Sequence, residues 1–146
     1  MKEIKVLIVE YSLLLGRIIS DLLTRDPQIE VVGIVRDHDQ ALLKIEKLHP
    51  DVVILDLDVS GIDALTFIKQ ITKSTSTSVI MLSDPTKNAI ERILEALEIG
   101  AIDYVPKPTS NLLDGISYFQ AAANEIISKI KTAASANILS PVKPIE

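Results

Sequence analysis

Six residues of this 146-residue sequence stand at or near the ends of short apolar runs and carry groups that can act together. Glu10 ends the first run, Asp56 and Asp58 follow the third, Ser83 ends the fourth, and Tyr104 and Lys107 belong to the fifth. A carboxylate such as Asp56 is the nucleophile from which an acyl phosphate is made. Charge gathering on the transferred oxygens must then be met by a cation and by hydrogen-bond donors. Lys107 would supply fixed positive charge and Ser83 a hydroxyl donor. Mg²⁺ favours one or two carboxylates together with waters and phosphate oxygens, a role open to Glu10 and Asp56. Each residue alone has an ordinary reading. Asp56 could be a solvated turn residue, Lys107 a surface lysine, Ser83 a helix cap and Tyr104 a half-buried strand aromatic. The convergence of four separate run ends is what favours chemistry.

The elements that would bring them together are legible as an alternation. The apolar runs Ile4–Val9, Val31–Val35, Val52–Leu55, Val79–Leu82 and Ile102–Val105 are rich in Ile and Val and nearly continuous, as in strands buried on both faces. Segments of helical period lie between them. The first carries Leu14, Leu15, Ile18 and Leu22, with Ser12 placed to cap it and Pro27 beyond its end. The second carries Ala41, Leu42, Ile45 and Leu48 and stops at His49-Pro50; the third carries Leu65, Ile68 and Ile71. The fourth carries Ile90, Ile93, Leu94 and Leu97, and Gly100 follows where a left-handed residue is wanted. The fifth runs from about Ser110 to Ala134, with Ile116, Phe119, Ala123, Ile126 and Ile130 on one stripe. Asp37-His38-Asp39 reads as helix-capping chemistry rather than a metal cluster, and His49 as a solvated turn residue. Five β-then-α units predict an α/β, flavodoxin-like, doubly wound parallel sheet of order 2-1-3-4-5 with helices on both faces. Ligands of such sheets bind at the carboxyl ends of the strands, where the candidate residues lie.

Composition narrows the function classes. The formal charge is 15 − 20 = −5, against a nucleic-acid partner. Hydrophobic residues make up 47% and charged residues 24%, as in one soluble globular domain. No cysteine is present, which excludes a disulfide scaffold, a zinc-thiolate site and a cysteine nucleophile. No signal peptide or membrane-spanning run is evident, so a cytoplasmic protein with no membrane partner is expected. Residues 1–135 are expected to form the domain, with an extended last helix, and 136–146 a linker or disordered tail. A flavin would want a Ser/Thr/Gly-rich loop after the first strand, and Glu10-Tyr11-Ser12 has the wrong charge. The Asp-x-His-x-x-Gly of a cobalamin site is absent.

In this order, the motifs resemble the receiver domains of two-component response regulators over roughly residues 3–135. The resemblance narrows to the receivers of CheB-type chemotaxis methylesterases through Lys5–Val9, Asp26–Gly33, Pro50–Val53 and Glu98–Pro108, the last with its Pro106-Lys107-Pro108. It implies that Asp56 is the phosphoacceptor, Lys107 the phosphate-pairing lysine, Ser83 the switch hydroxyl and Tyr104 the switch aromatic. It implies a histidine kinase as donor, and an effector domain or partner protein on the face of helix 4, strand 5 and helix 5. Family members carry two adjacent acids after the first strand; here they are Glu10 and Tyr11, leaving Glu10, Asp56 and Asp58 as the metal set for Mg²⁺. The loop Val59–Ala64 also departs from the family pattern. The alternative is a degenerate receiver acting as a phosphate-independent interaction module, with Tyr11 filling the metal hole. The fifth helix beyond about Glu125 would then bind an effector or a second copy in a homodimer. The Ser, His and Asp machinery of an esterase would need another domain's length, so no catalytic residues and no enzyme activity beyond self-phosphorylation are expected.

Overall fold

The computed structural model describes residues 3–58, 63–83, 87–107 and 112–139. Five strands alternate with five helices: β1 Ile4–Val9, α1 Leu13–Leu23, β2 Ile29–Val35, α2 His38–Leu48, β3 Val52–Asp56, α3 Ala64–Ser74, β4 Ser78–Ser83, α4 Lys87–Ile99, β5 Asp103–Pro106 and α5 Leu112–Leu139. All strand pairs are parallel and the order is β2-β1-β3-β4-β5, as the sequence predicts.

The near-continuous apolar strands fill two cores, because successive side chains leave opposite faces. Leu7, Val9, Val53, Leu55, Val79 and Met81 join Ala41, Ile45, Phe67, Ile68 and Ile93 on the α2, α3 and α4 face. Val6, Ile8, Ile54, Ile80 and Leu82 join Ile19, Leu23, Phe119, Ile126 and Ile130 on the α1 and α5 face. Local chemistry sets the helix ends. The Ser12, Asp37 and Asp63 side chains accept from the amides of Leu15, Gln40 and Thr66. Exposed His49 ends α2 at φ 49°, and Gly100 follows α4 at φ 135°, where a Cβ would stand 3.0 Å from Thr72 Cγ2. His38 opens α2 fully buried, its ring stacked on Phe67 at 4.6 Å, a structural position. Among the described residues no helix is long and apolar enough to cross a membrane.

Two apolar stripes face elsewhere than the sequence suggests, for one reason. In α1, Leu14 is exposed and the buried positions are Gly16, Ile19, Leu22 and Leu23. A Cβ at Gly16 would stand 2.8 Å from Ile34 Cγ2, so the glycine marks the face pressed on the sheet. In α4, Ile90, Leu94 and Leu97 are exposed, while Ala89, Ile93 and Ala96 are buried. Small residues allow close packing, and a pattern weighted by large hydrophobes overlooks them.

The fifth helix corrects the expectation in the other direction. Beyond Glu125 it stays on its own sheet: Ile126, Ile130, Ala133 and Ala134 are buried in the core. Ser78 Oγ, at the start of β4, donates to the Ala133 carbonyl at 2.9 Å, and Lys131 pairs with Asp26 at 2.8 Å. The helix also runs past the expected boundary at 135, to Leu139. Its 28 residues extend about 42 Å, roughly twice the length of a six-residue strand. The tail 140–146 and loop residues 59–62 lie outside the described residues.

Candidate functional site

The carboxyl edge of the sheet gathers the expected groups into one shallow bowl. Asp56 ends β3 and is only 3% exposed. Its Oδ2 accepts from Lys107 Nζ at 2.8 Å, and its Oδ1 accepts from the Asp58 amide at 2.9 Å. Lys107 is aimed there by its backbone, because its amide donates to the Ser83 carbonyl at 2.8 Å and so continues the β4–β5 ladder past Pro106. Ser83 is buried beside this junction. Burial pulls the Lys107 ammonium down, but the Asp56 carboxylate, with Asp58 and Glu10 behind it, prevails and holds its pKa above the ordinary lysine value. The ammonium is therefore a permanent charge at neutral pH.

Glu10, at the end of β1, is also 3% exposed. Its Oε2 accepts from the Ser12 amide at 3.0 Å. Its Oε1 is buried and meets no hydrogen-bond donor among the described residues; its neighbour is the Asp56 carboxyl. Two carboxylates cannot hydrogen-bond unless one carries a proton. Burial first, and then Asp56, push the Glu10 pKa up from 4.5 to about 8, against the Ser12 amide and Lys107. A proton or a cation must fill this gap.

That gap fits a hard cation. Glu10 and Asp56 offer two oxygen ligands, the number Mg²⁺ favours beside waters and phosphate oxygens. The third expected ligand, Asp58, is drawn elsewhere: its carboxylate lies 3.3 Å from Lys107 Nζ and 3.4 Å from Arg92 Nη1. No three carboxyl or imidazole groups among the described residues are arranged around one metal position. Asp58 is thus engaged by two neighbouring cations, whereas Glu10 and Asp56 face one another.

Tyr11 does not fill the bowl. Its ring is 59% exposed and lies 4.5 Å from the Arg36 guanidinium, past the end of β2 and across β1 from Asp56. Arg36 Nε also donates to the Tyr11 carbonyl at 3.1 Å. The structure thus brings together Asp56, Lys107, Glu10 and Asp58, with Ser83 one backbone bond away. Tyr104 stands apart, half-buried; its carbonyl accepts from Lys129 Nζ at 2.7 Å, and that ammonium lies 5.7 Å from its ring centre. Arg92 of α4 is the site residue that sequence reasoning misses. It occupies a helix interior, not a strand end, and a sequence with several surface arginines gives no signal for it.

Known proteins carry the same pattern. The family model for the response regulator receiver domain matches residues 6–117. A protein-glutamate methylesterase/protein-glutamine glutaminase of Sulfurimonas denitrificans is 40% identical over 140 residues, 96% of this chain and 39% of that protein. A similarly named protein of Xanthomonas campestris pv. campestris is 36% identical over 97% of this chain and 38% of its own length. The chain thus spans about two-fifths of the length of these relatives. The crystal structure of the response regulator domain of Thermotoga maritima CheB superposes with a TM-score of 0.80 at 30% identity, covering 98% of this chain and all of that one. The chain belongs to the response regulator receiver domains, among those of the CheB type.

Proposed function

We propose that this receiver takes a phosphoryl group from a histidine kinase onto Asp56 and converts the added charge into a change of its α4–β5–α5 face. The observation that carries this reading is the pair of Asp56 and Lys107 at 2.8 Å, closed on one side by the donor-less oxygen of Glu10. An Asp56 oxygen attacks phosphorus, the bond from phosphorus to the donor nitrogen breaks, and its electron pair leaves with the imidazole. Lys107 holds its charge against the transferred oxygens, and the Asp58 amide keeps the acceptor carboxylate oriented. Glu10 and Asp56 would hold Mg²⁺, which would supply further positive charge to the phosphoryl oxygens. Glu10 gives up its proton to take that role.

Readout follows from which surfaces lack cover. Ile90, Leu94 and Leu97 of α4 and Ile102 before β5 are large apolar side chains left exposed. An effector domain or partner protein is their proposed cover, with Ser83 and Tyr104 as the switch pair. The methylesterase and glutaminase activities named for the relatives belong to proteins more than twice this chain's length; the part carried over here is regulation. The homodimer and phosphate-independent alternatives lose their supports, since Ile126 and Ile130 are buried in the chain's own core and Tyr11 lies on Arg36.

Beryllofluoride, a phosphoryl mimic, tests the reading. Binding that requires Mg²⁺ and disappears in Asp56→Asn is expected. A chain that binds none at millimolar Mg²⁺, or binds it equally without Asp56, contradicts the assignment.

A further inference from the structure

We infer that Arg92 is a positioning residue through which α4 sets the orientation of Asp56; the inference rests on the phosphoacceptor reading above. The peptide joining Leu57 to Asp58 is held from both ends. Its N–H donates to Asp56 Oδ1 at 2.9 Å, and its carbonyl accepts from Arg92 Nη2 at 2.6 Å. The second guanidinium nitrogen reaches Asp58 Oδ1 at 3.4 Å, while Asp58 Oδ2 lies 3.3 Å from Lys107 Nζ. That ammonium is the one paired with Asp56 Oδ2. A closed ring results, running from Asp56 through the peptide to Arg92, on to Asp58, to Lys107 and back to Asp56.

The ring has two physical consequences. A cation donating to a carbonyl polarises the whole peptide and strengthens the bond made by its N–H. Rotation of the peptide plane would break both bonds, so the guanidinium also fixes which Asp56 oxygen faces the amide and which the ammonium. Attack on phosphorus depends steeply on such orientation. The fold has little need of Arg92, whose side chain is 40% exposed and pairs with an Asp58 side chain that is 46% exposed. Ion pairs this open add little to stability, so the effect of Arg92 belongs in the reaction rate. Arg92 also shares its helix with the exposed Ile90 and Leu94.

Two readouts on Arg92→Ala and Arg92→Lys decide the matter. The first is the Asp58 amide proton shift in the unphosphorylated, metal-free chain, which is independent of whether Asp56 reacts. It moves upfield in Arg92→Ala as its hydrogen bond weakens, and lies between the two in Arg92→Lys. The second is the rate of phosphorylation by a small phosphodonor at saturating Mg²⁺, followed by intact mass. It falls about tenfold in Arg92→Ala, recovers in part in Arg92→Lys, and the urea midpoint stays in place. An unmoved amide, or a moved amide with an unchanged rate, overturns the role. If the wild-type chain takes no phosphate, the Asp56 reading fails, and the amide shift alone still decides whether the peptide is clamped.

Discussion

Helices α4 and α5 precede and follow β5 along the chain and treat their apolar residues in opposite ways. The fifth helix buries Phe119, Ala123, Ile126, Ile130, Ala133 and Ala134. It is pinned along its length by Lys129 on the Tyr104 carbonyl, Lys131 on Asp26 and Ser78 on the Ala133 carbonyl. The fourth helix buries Ala89, Ile93 and Ala96, and Leu94 is 55% exposed on its outer side. The guanidinium of Arg92 ties it to the site. Among the described residues α4 buries fewer and smaller side chains than α5, so it can shift at lower cost. The difference supports the proposal in which α5 is the frame and α4 the responding element.

The largest effect should come from the frame. Ile130→Ala empties a fully buried position and is expected to cost about 3 kcal/mol in urea unfolding. A cost under about 0.5 kcal/mol would mean that the distal half of α5 is not part of the core. The site side should also respond to pH. Glu10 binds its proton more tightly folded, near pH 8, than at its ordinary value of 4.5. The folded state therefore holds the extra proton between these values, and stability is lost as pH rises through the folded value. In metal-free buffer, Glu10→Gln should gain on the wild type between neutral pH and about pH 9, whereas unfolding curves that keep the same offset at both would refute a buried, protonated Glu10. The smallest effect should be on the outer side of α4. Leu94→Ala is expected to change stability by less than about 0.5 kcal/mol while weakening partner binding. A loss like that of Ile130→Ala would abolish the contrast.

How much of this was legible in the sequence depends on what kind of residue carried the signal. The β1 run was read with its observed bounds, and the sheet order was read from alternation, right-handed crossovers and the order usual for doubly wound sheets. Asp56, Lys107 and Glu10 were legible because topology forces strand ends to one edge. The helix faces were not, because Gly16, Ala89 and Ala96 create close contacts without adding hydrophobic bulk to the pattern. The distal half of α5 was read as surplus because nothing in its own sequence announces Ser78, 55 residues away, as its anchor. Asp58 was read from its charge alone, and its ion pairs with Lys107 and Arg92 could not be foreseen from spacing. Arg92, which shares Asp58 with Lys107, came from an element whose sequence suggested only packing.

The most direct test of the central claim is the intact mass of the chain after incubation with a small phosphodonor and Mg²⁺, beside Asp56→Asn treated the same way. The account predicts one phosphoryl group on the wild type, lost when Mg²⁺ is chelated during the reaction, and none on the variant. A wild type that gains no mass, or a variant that gains as much, would contradict it.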